Sequence, residues 1–254
     1  MPLSSSGPET QSGVAHWFER TYRDLGFDYL RAPEAYPIFL QLLGARAGQR
    51  LLDVACGPGL LLKEANDRGL DVHGVDLSRT ALELAQRYVP EASVHVGNAQ
   101  EIAHPEGTFD YVTCIAALER FFDRPAALRE IRRVGASDAR FCFMVRNART
   151  LVWRLWRDAL KKRNVHGHQD ALDLERWSGL FEAHGFRIEA VYIDQWFRQR
   201  LRRALRLFRP LDRNRPEPVA RPILPLRYAN EFIFILSKGP DPEAELERSP
   251  DSIE

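Results

Sequence analysis

Leu51-Leu52-Asp53-Val54-Ala55-Cys56-Gly57-Pro58-Gly59-Leu60-Leu61-Leu62 is an apolar run that ends in an acid and two glycines and then resumes with helix-forming leucines. Read locally, it is a strand, a tight turn and the start of a helix. Glycine in such a turn lets backbone N–H groups come close to a ligand, and the helix N-terminus behind it carries partial positive charge. The turn is the first place to look for a binding site, though alone it is compatible with several classes of ligand.

Working outward, strand and helix signals alternate. A helix over about Leu60 to Asp67 closes at Gly69, and the strand Val72 to Val75 ends in Asp76. A helix from Arg79 to Tyr88 follows, with Ser78 placed to cap it. A short strand, Ala92 to Val96, stops at Gly97; then come a buried strand Phe109 to Ile115, a helix Arg124 to Val134 and a strand Arg140 to Val145. Upstream, His16 to Leu30 carries Trp17, Phe18, Tyr22, Leu25, Phe27 and Tyr29 at helical spacing, a lid or packing helix, and a second helix runs from Pro33 to Leu43. Strands alternating with helices across short connections predict an α/β architecture, a doubly wound parallel sheet with helices on both faces. Ligands in such sheets bind beyond the carboxyl ends of the strands. Asp76 lies 17 residues after Gly59, near the roughly 20-residue spacing at which an acid meets ribose hydroxyls.

Composition sets outer bounds. The chain has 254 residues, 44% hydrophobic and 28% charged, as a soluble globular protein has. A formal net charge of +1 gives no reason to expect nucleic acid as a partner. Cys56, Cys114 and Cys142 sit in apolar runs rather than at framework spacings, so a reducing compartment fits and the cytoplasm is the default location. No run approaches the roughly 20 apolar residues of a membrane span, and Met1 to Gly13 lacks the regions of a signal peptide.

With these elements in place, Leu52 to Gly59 resembles the first motif of the class I S-adenosylmethionine-dependent methyltransferases, an acid followed by alternating glycines. Gly74-Val75-Asp76-Leu77-Ser78 looks like that family's second-strand motif, Val96-Gly97-Asn98-Ala99 like its third, and Phe109 to Cys114 like its fourth. Ala117-Leu118-Glu119-Arg120-Phe121, followed by Ala127 to Val134, is similar to the small-molecule and quinone-type (methyltransferase type 11-like) branch. The resemblance implies a Rossmann-like seven-stranded sheet in the order 3-2-1-4-5-7-6, with strand 7 antiparallel and the closing pair supplied by Phe186 to Trp196 and Glu231 to Ser237. It also implies S-adenosylmethionine as cofactor and S-adenosylhomocysteine as product. Residue by residue, Asp53 would accept from the methionyl ammonium, and Gly57 and Gly59, beside Ala55 and Cys56, would leave room for the methionyl chain. Asp76 would hold the ribose hydroxyls, Asn98 and Ala99 would meet the adenine edge, and Leu77 would pack on the ring. Ile115 would bring a carbonyl near the cofactor's amino group.

Three positions depart from the family pattern. Ala55 stands where the first glycine is frequent, Asn98 where an aspartate is frequent, and Arg120 where a histidine follows Leu-Glu. A base at position 120 is therefore not available to this chain. A nicotinamide-binding oxidoreductase would use the same fold, but its third glycine would fall at Leu62, where the helix must approach the sheet closely. A nucleophilic role for Cys56 has no neighbouring histidine in the sequence to support it, and a small buried thiol is the ordinary role.

The remaining segments bear on the methyl acceptor. His166-Gly167-His168-Gln169-Asp170 has some spacing of a binuclear metal site, but the next position, where a further ligand would stand, is Ala171, so no metal is expected. His166 and His168 are candidate general bases in a substrate-facing loop. Phe197 to Arg209 reads as a basic amphipathic helix, a solvated face or a contact for a membrane surface or an anionic ligand. Residues 1–13 and the acidic tail 240–254 are expected to be disordered. Residues 14–239 are expected to form one methyltransferase domain, with 145–185 and 197–228 as substrate or cap insertions. The expected function is methyl transfer to a small organic acceptor, at an oxygen or carbon nucleophile, by direct in-line displacement. The alternatives are a non-catalytic protein that binds the same cofactor, or a partner subunit, and then an NAD-dependent oxidoreductase.

Overall fold

Neighbouring residues of one strand serve opposite layers of this protein. Leu51 belongs to the core layer of Phe39, Leu40, Leu62 and Cys142, whereas Leu52 belongs to the layer of Val112, Phe141, Phe143 and Phe234. Side chains alternate across a strand, so a continuous apolar run is the signature of a sheet covered on both faces. The computed structural model describes residues 10–150, 170–194, 196 and 229–240.

The strands are β1 (Arg50–Val54), β2 (Asp71–Asp76), β3 (Ser93–Val96), β4 (Phe109–Ile115), β5 (Gly135–Arg146), β6 (Phe186–Ile193) and β7 (Glu231–Lys238). They form one seven-stranded sheet in the order β3-β2-β1-β4-β5-β7-β6. β7 runs antiparallel to β5 and β6, and the other pairings are parallel. The sheet order and the antiparallel closing strand are those predicted. Register places Asp53 of β1 opposite Gly74 on one side and Thr113 on the other. Helices α1 (Gln11–Leu25), α2 (Pro37–Leu43), α3 (Leu60–Asp67), α4 (Arg79–Tyr88), α5 (Arg124–Val134) and α6 (Leu174–Ala183) surround it. Residues of α2 and α3 cover one face; those of α5 and α6 cover the other. Truncating a fully buried leucine such as Leu51 or Leu52 to alanine costs about 2–5 kcal/mol at sites of this kind.

Helix starts follow side-chain capping. Thr10, Ser78, Asp123 and Asp173 each accept a backbone N–H from the first turn of α1, α4, α5 and α6. Thr10 starts α1 at Gln11, inside the stretch expected to lack structure, and the helix ends at Leu25 rather than at Leu30. Gly26, at φ +51°, turns the chain into a 3-10 segment, Gly26–Tyr29. The helix expected from Pro33 is interrupted: Pro33–Ala35 is a 3-10 turn and α2 starts at Pro37, because proline has no N–H to continue the ladder. β5 begins at Gly135 rather than Arg140. Gly-Ala-Ser-Asp-Ala has loop composition, yet Gly135 pairs with Phe109 and a register shift before Tyr111 absorbs the mismatch. His166, His168, the basic segment 197–209 and residues 241–254 lie outside the described residues.

Candidate active site

β1, β2 and β4 end on the same side of the sheet, and the turn after β1 begins with Ala55. Three of its residues have positive φ: Ala55 at 60°, Gly57 at 54° and Gly59 at 84°. The left-handed region disfavours a Cβ, which accounts for glycine at two of these positions and makes Ala55 the strained one. The Gly57 N–H donates to Asp76 Oδ2 at 2.8 Å, and the Ser78 N–H donates to Oδ1 at 2.9 Å. One carboxylate thereby ties the first turn to the second and keeps lone pairs on both oxygens for a ligand. Asp53 accepts from the Thr113 hydroxyl at 2.6 Å.

Both acids are buried and face one cavity of about 530 Å³. Burial pushes the Asp53 carboxyl up to about 7, with the Thr113 hydrogen bond pulling down and the Asp76 charge adding to the rise. Burial likewise lifts Asp76 to about 6 against the pull of the Ser78 and Gly57 N–H groups. Carboxyls raised in this way have charge that their own surroundings do not fully compensate, and a cation or a pair of hydroxyl donors would complete them.

Of the residues that the sequence singles out for the cofactor, Asp53, Ala55, Cys56, Gly57, Asp76, Leu77, Asn98, Ala99 and Ile115 line this cavity. Gly59 does not. A Cβ there would lie 3.1 Å from that of Ala85, so Gly59 permits close packing of the turn on α4 rather than contact with a ligand. The loop carrying Asn98 is clamped from α5: the Ile102 N–H donates to Glu130, and Arg133 donates to the carbonyls of Ile102 and His104. The Asn98 Oδ1 accepts from the Gln100 N–H at 3.1 Å, which orients its amide. Burial raises the Cys56 thiol well above its ordinary value, so it is not poised as a nucleophile.

The other walls were less visible in the sequence. α1 and the 3-10 segment after it contribute Val14, Phe18, Tyr22, Leu25 and Tyr29, a set that the aromatic spacing foreshadowed. Arg120 lies over the Phe18 ring at 5.2 Å and donates to the Tyr29 hydroxyl at 3.1 Å. Arg31, Tyr36, Met144, Arg146 and Glu231 close the far end. There Arg31 donates to Asp194 at 3.0 Å and also to Glu231. No local motif marks these residues, since Arg31 and Glu231 are 200 positions apart. Glu119 is fully buried, and both its carboxylate oxygens lack a hydrogen-bond partner among the described residues. Among the described residues no group of three or more His, Cys, Asp or Glu is arranged to hold a metal ion, and no helix is long and apolar enough to cross a membrane.

A family model for methyltransferase domains matches residues 27–191. The chain belongs to that family, and its sheet is that of the class I S-adenosylmethionine-dependent methyltransferases. Among its relatives, the ubiquinone biosynthesis O-methyltransferase of Alkalilimnicola ehrlichii is 32% identical over 152 residues, 54% of this chain and 62% of that protein. The nocamycin O-methyltransferase of Saccharothrix syringae is 37% identical over 109 residues, 40% of this chain and 39% of that protein. The chain thus spans less than two thirds of either relative. In structure it is similar to a SAM-dependent methyltransferase of Thermotoga maritima, with a TM-score of 0.63 at 16% identity, covering 88% of this chain and 99% of that one. It is also similar to the [4+2]-cyclase SpnF, with a TM-score of 0.65 at 17% identity, covering 92% and 98%. At such identities the likeness concerns the fold alone.

Proposed function

We propose that this protein is an S-adenosylmethionine-dependent O-methyltransferase for a small aromatic hydroxyl compound. The observation that carries the reading is the shared cavity: Asp53 and Asp76 are buried beside its glycine turn, and the same space runs on between aromatic side chains. Its volume of about 530 Å³ is in the range of small-molecule sites. The relatives named as O-methyltransferases support oxygen over carbon as the acceptor atom.

When bound, the cofactor supplies a methyl group activated by a positively charged sulfur. Asp76 would hold the ribose hydroxyls and Asp53 the methionyl ammonium, each recovering part of its desolvation cost. Ala55, Cys56 and Gly57 leave room along the turn, Leu77, Asn98 and Ala99 border the base, and Ile115 offers a carbonyl. The aromatic wall of α1 excludes water and orients the acceptor, the main tasks left to the protein. The acceptor's hydroxyl would have to give up its proton in the transfer, and His166 and His168 are the proposed bases for it.

Calorimetry with S-adenosylmethionine, S-adenosylhomocysteine and NAD, followed by mass spectrometry of phenol and catechol panels, tests the reading. The expected result is binding of both sulfur compounds and a mass gain of one methylene on an acceptor. A folded sample that binds neither sulfur compound would overturn it. Binding without any transfer would favour the non-catalytic cofactor-binding alternative.

A further inference from the structure

Tyr22, on α1, stands beside the glycine turn. Only 6% of it is exposed, and it lines the cavity. A Cβ placed on Gly57 would lie 2.9 Å from its hydroxyl, so that hydroxyl sits directly over the glycine turn. The ring is fixed from two sides, stacked on Phe18 at 5.8 Å and meeting the edge of Tyr29 at 5.8 Å. Its hydroxyl makes no hydrogen bond with any described residue, and burial beside Asp76 raises its pKa well above the ordinary value, so it stays protonated and can donate. A protonated hydroxyl, held rigid, almost wholly buried and facing the space over a ligand-binding turn, is a donor awaiting an acceptor.

α1 is itself hooked to the floor of the site. Glu19, one turn before Tyr22, accepts the Arg79 N–H with one carboxylate oxygen and the Thr80 N–H with the other, the latter at 3.2 Å. These are N–H groups of the first turn of α4, which have no partner within their own helix. α4 starts just after Asp76, so the clasp and the ribose acid are joined to the same turn.

We infer that Tyr22 is a cofactor-positioning residue, donating its hydroxyl to the methionyl carboxylate, with Glu19 holding α1 in the pose that makes this contact. The inference rests on the cofactor reading above. If Asp53 takes the ammonium, the carboxylate on the same carbon needs donors, and Tyr22, with Arg120 close by, presents a hydroxyl over that part of the turn. Closure of α1 is then tied to the amino-acid half of the ligand rather than to its nucleoside half.

The test compares S-adenosylhomocysteine with 5′-methylthioadenosine, which carries the nucleoside and sulfur without the amino-acid end, on the full chain. Tyr22→Phe, which removes one oxygen, is expected to weaken S-adenosylhomocysteine about tenfold, the low end for a hydrogen bond to a charged group, and 5′-methylthioadenosine less than twofold. In the wild type, amide exchange across α1 should slow with the first ligand and not with the second. Equal losses for both ligands, or none for either, would overturn the role of Tyr22 while leaving the cofactor reading standing. Failure of folded wild type to bind S-adenosylhomocysteine would take down both.

Discussion

The two ends of the cavity are built by different means. At the end beside β1, β2 and β3, the Ala55–Gly59 turn, Asp76 and Asn98 lie at the ends of consecutive strands, and backbone N–H groups do much of the holding. At the end beside β5 and β7, Arg31, Arg146, Asp194 and Glu231 come from remote parts of the chain and hold one another through side chains. A ligand shared by a whole family can be met by local backbone geometry, which many sequences can form. A ligand particular to one protein is met by side chains that the fold brings together.

The largest expected effect strikes the first end. Asp76→Asn should weaken S-adenosylhomocysteine by about a hundredfold or more, because two hydrogen bonds to a charged acceptor are worth about 1.5–3 kcal/mol each. Asparagine is the milder substitution: it keeps an acceptor for one of the Gly57 and Ser78 N–H groups, whereas alanine strands both. Calorimetry showing affinity within threefold of wild type would remove Asp76 from the ribose site.

Glu231→Gln probes the other end. Loss of a largely buried partner of Arg31 should cost about 2 kcal/mol of stability, below the 3–5 kcal/mol of a fully buried pair because Asp194 remains. Thermal melts should fall by several degrees while S-adenosylhomocysteine affinity holds. A joint fall in affinity would mean that the two ends are not separable.

The pH dependence sharpens the contrast further. Asp53 and Asp76, lifted by burial to about 7 and about 6, must ionise to take a cationic and hydroxyl-bearing ligand, so affinity should rise as pH rises from 6 to 8. For the unliganded fold the sign is opposite. Raised folded-state values mean that the native protein binds more protons than the unfolded chain, so this part of the stability is full below about 3.8 and is lost as pH rises to about 7. His95 and His104, lowered mainly by burial and packed ring to ring at 5.0 Å, act the other way: their part is present above the ordinary histidine value and is lost as pH falls through the lowered ones. Saturation with S-adenosylhomocysteine should cancel the carboxylate slope and leave the histidine slope in melts between pH 5.5 and 7.5.

Ala55→Gly should have the smallest effect. Relief of a left-handed alanine should raise stability by up to about 1 kcal/mol, with no change in affinity. A loss of stability would indicate that the Ala55 methyl packs well enough to outweigh its strain.

Much of the end beside β1, β2 and β3 was legible in the chain itself. The strand ends, Asp53, Asp76 and Asn98 follow from an apolar period and from turn residues, both of which are local properties. Gly59 was legible as a turn glycine but not as a packing one, because its neighbour Ala85 comes from another helix. The start of α1 was missed because one threonine cap outweighed a loop-like composition, and the start of β5 because Phe109 supplies pairing that Gly135 does not advertise.

The sequence by itself determined the doubly wound sheet and the turn on which the ligand would lie, and the closing antiparallel strand came with the family resemblance. Only the tertiary structure placed Tyr22 over Gly57, Glu19 on the first turn of α4 and Arg31 against Glu231. Periodicity and turn chemistry act between residues a few positions apart and can be read along the chain. Contacts between α1, α4 and the ends of β5 and β7 exist only once the sheet has brought distant segments together.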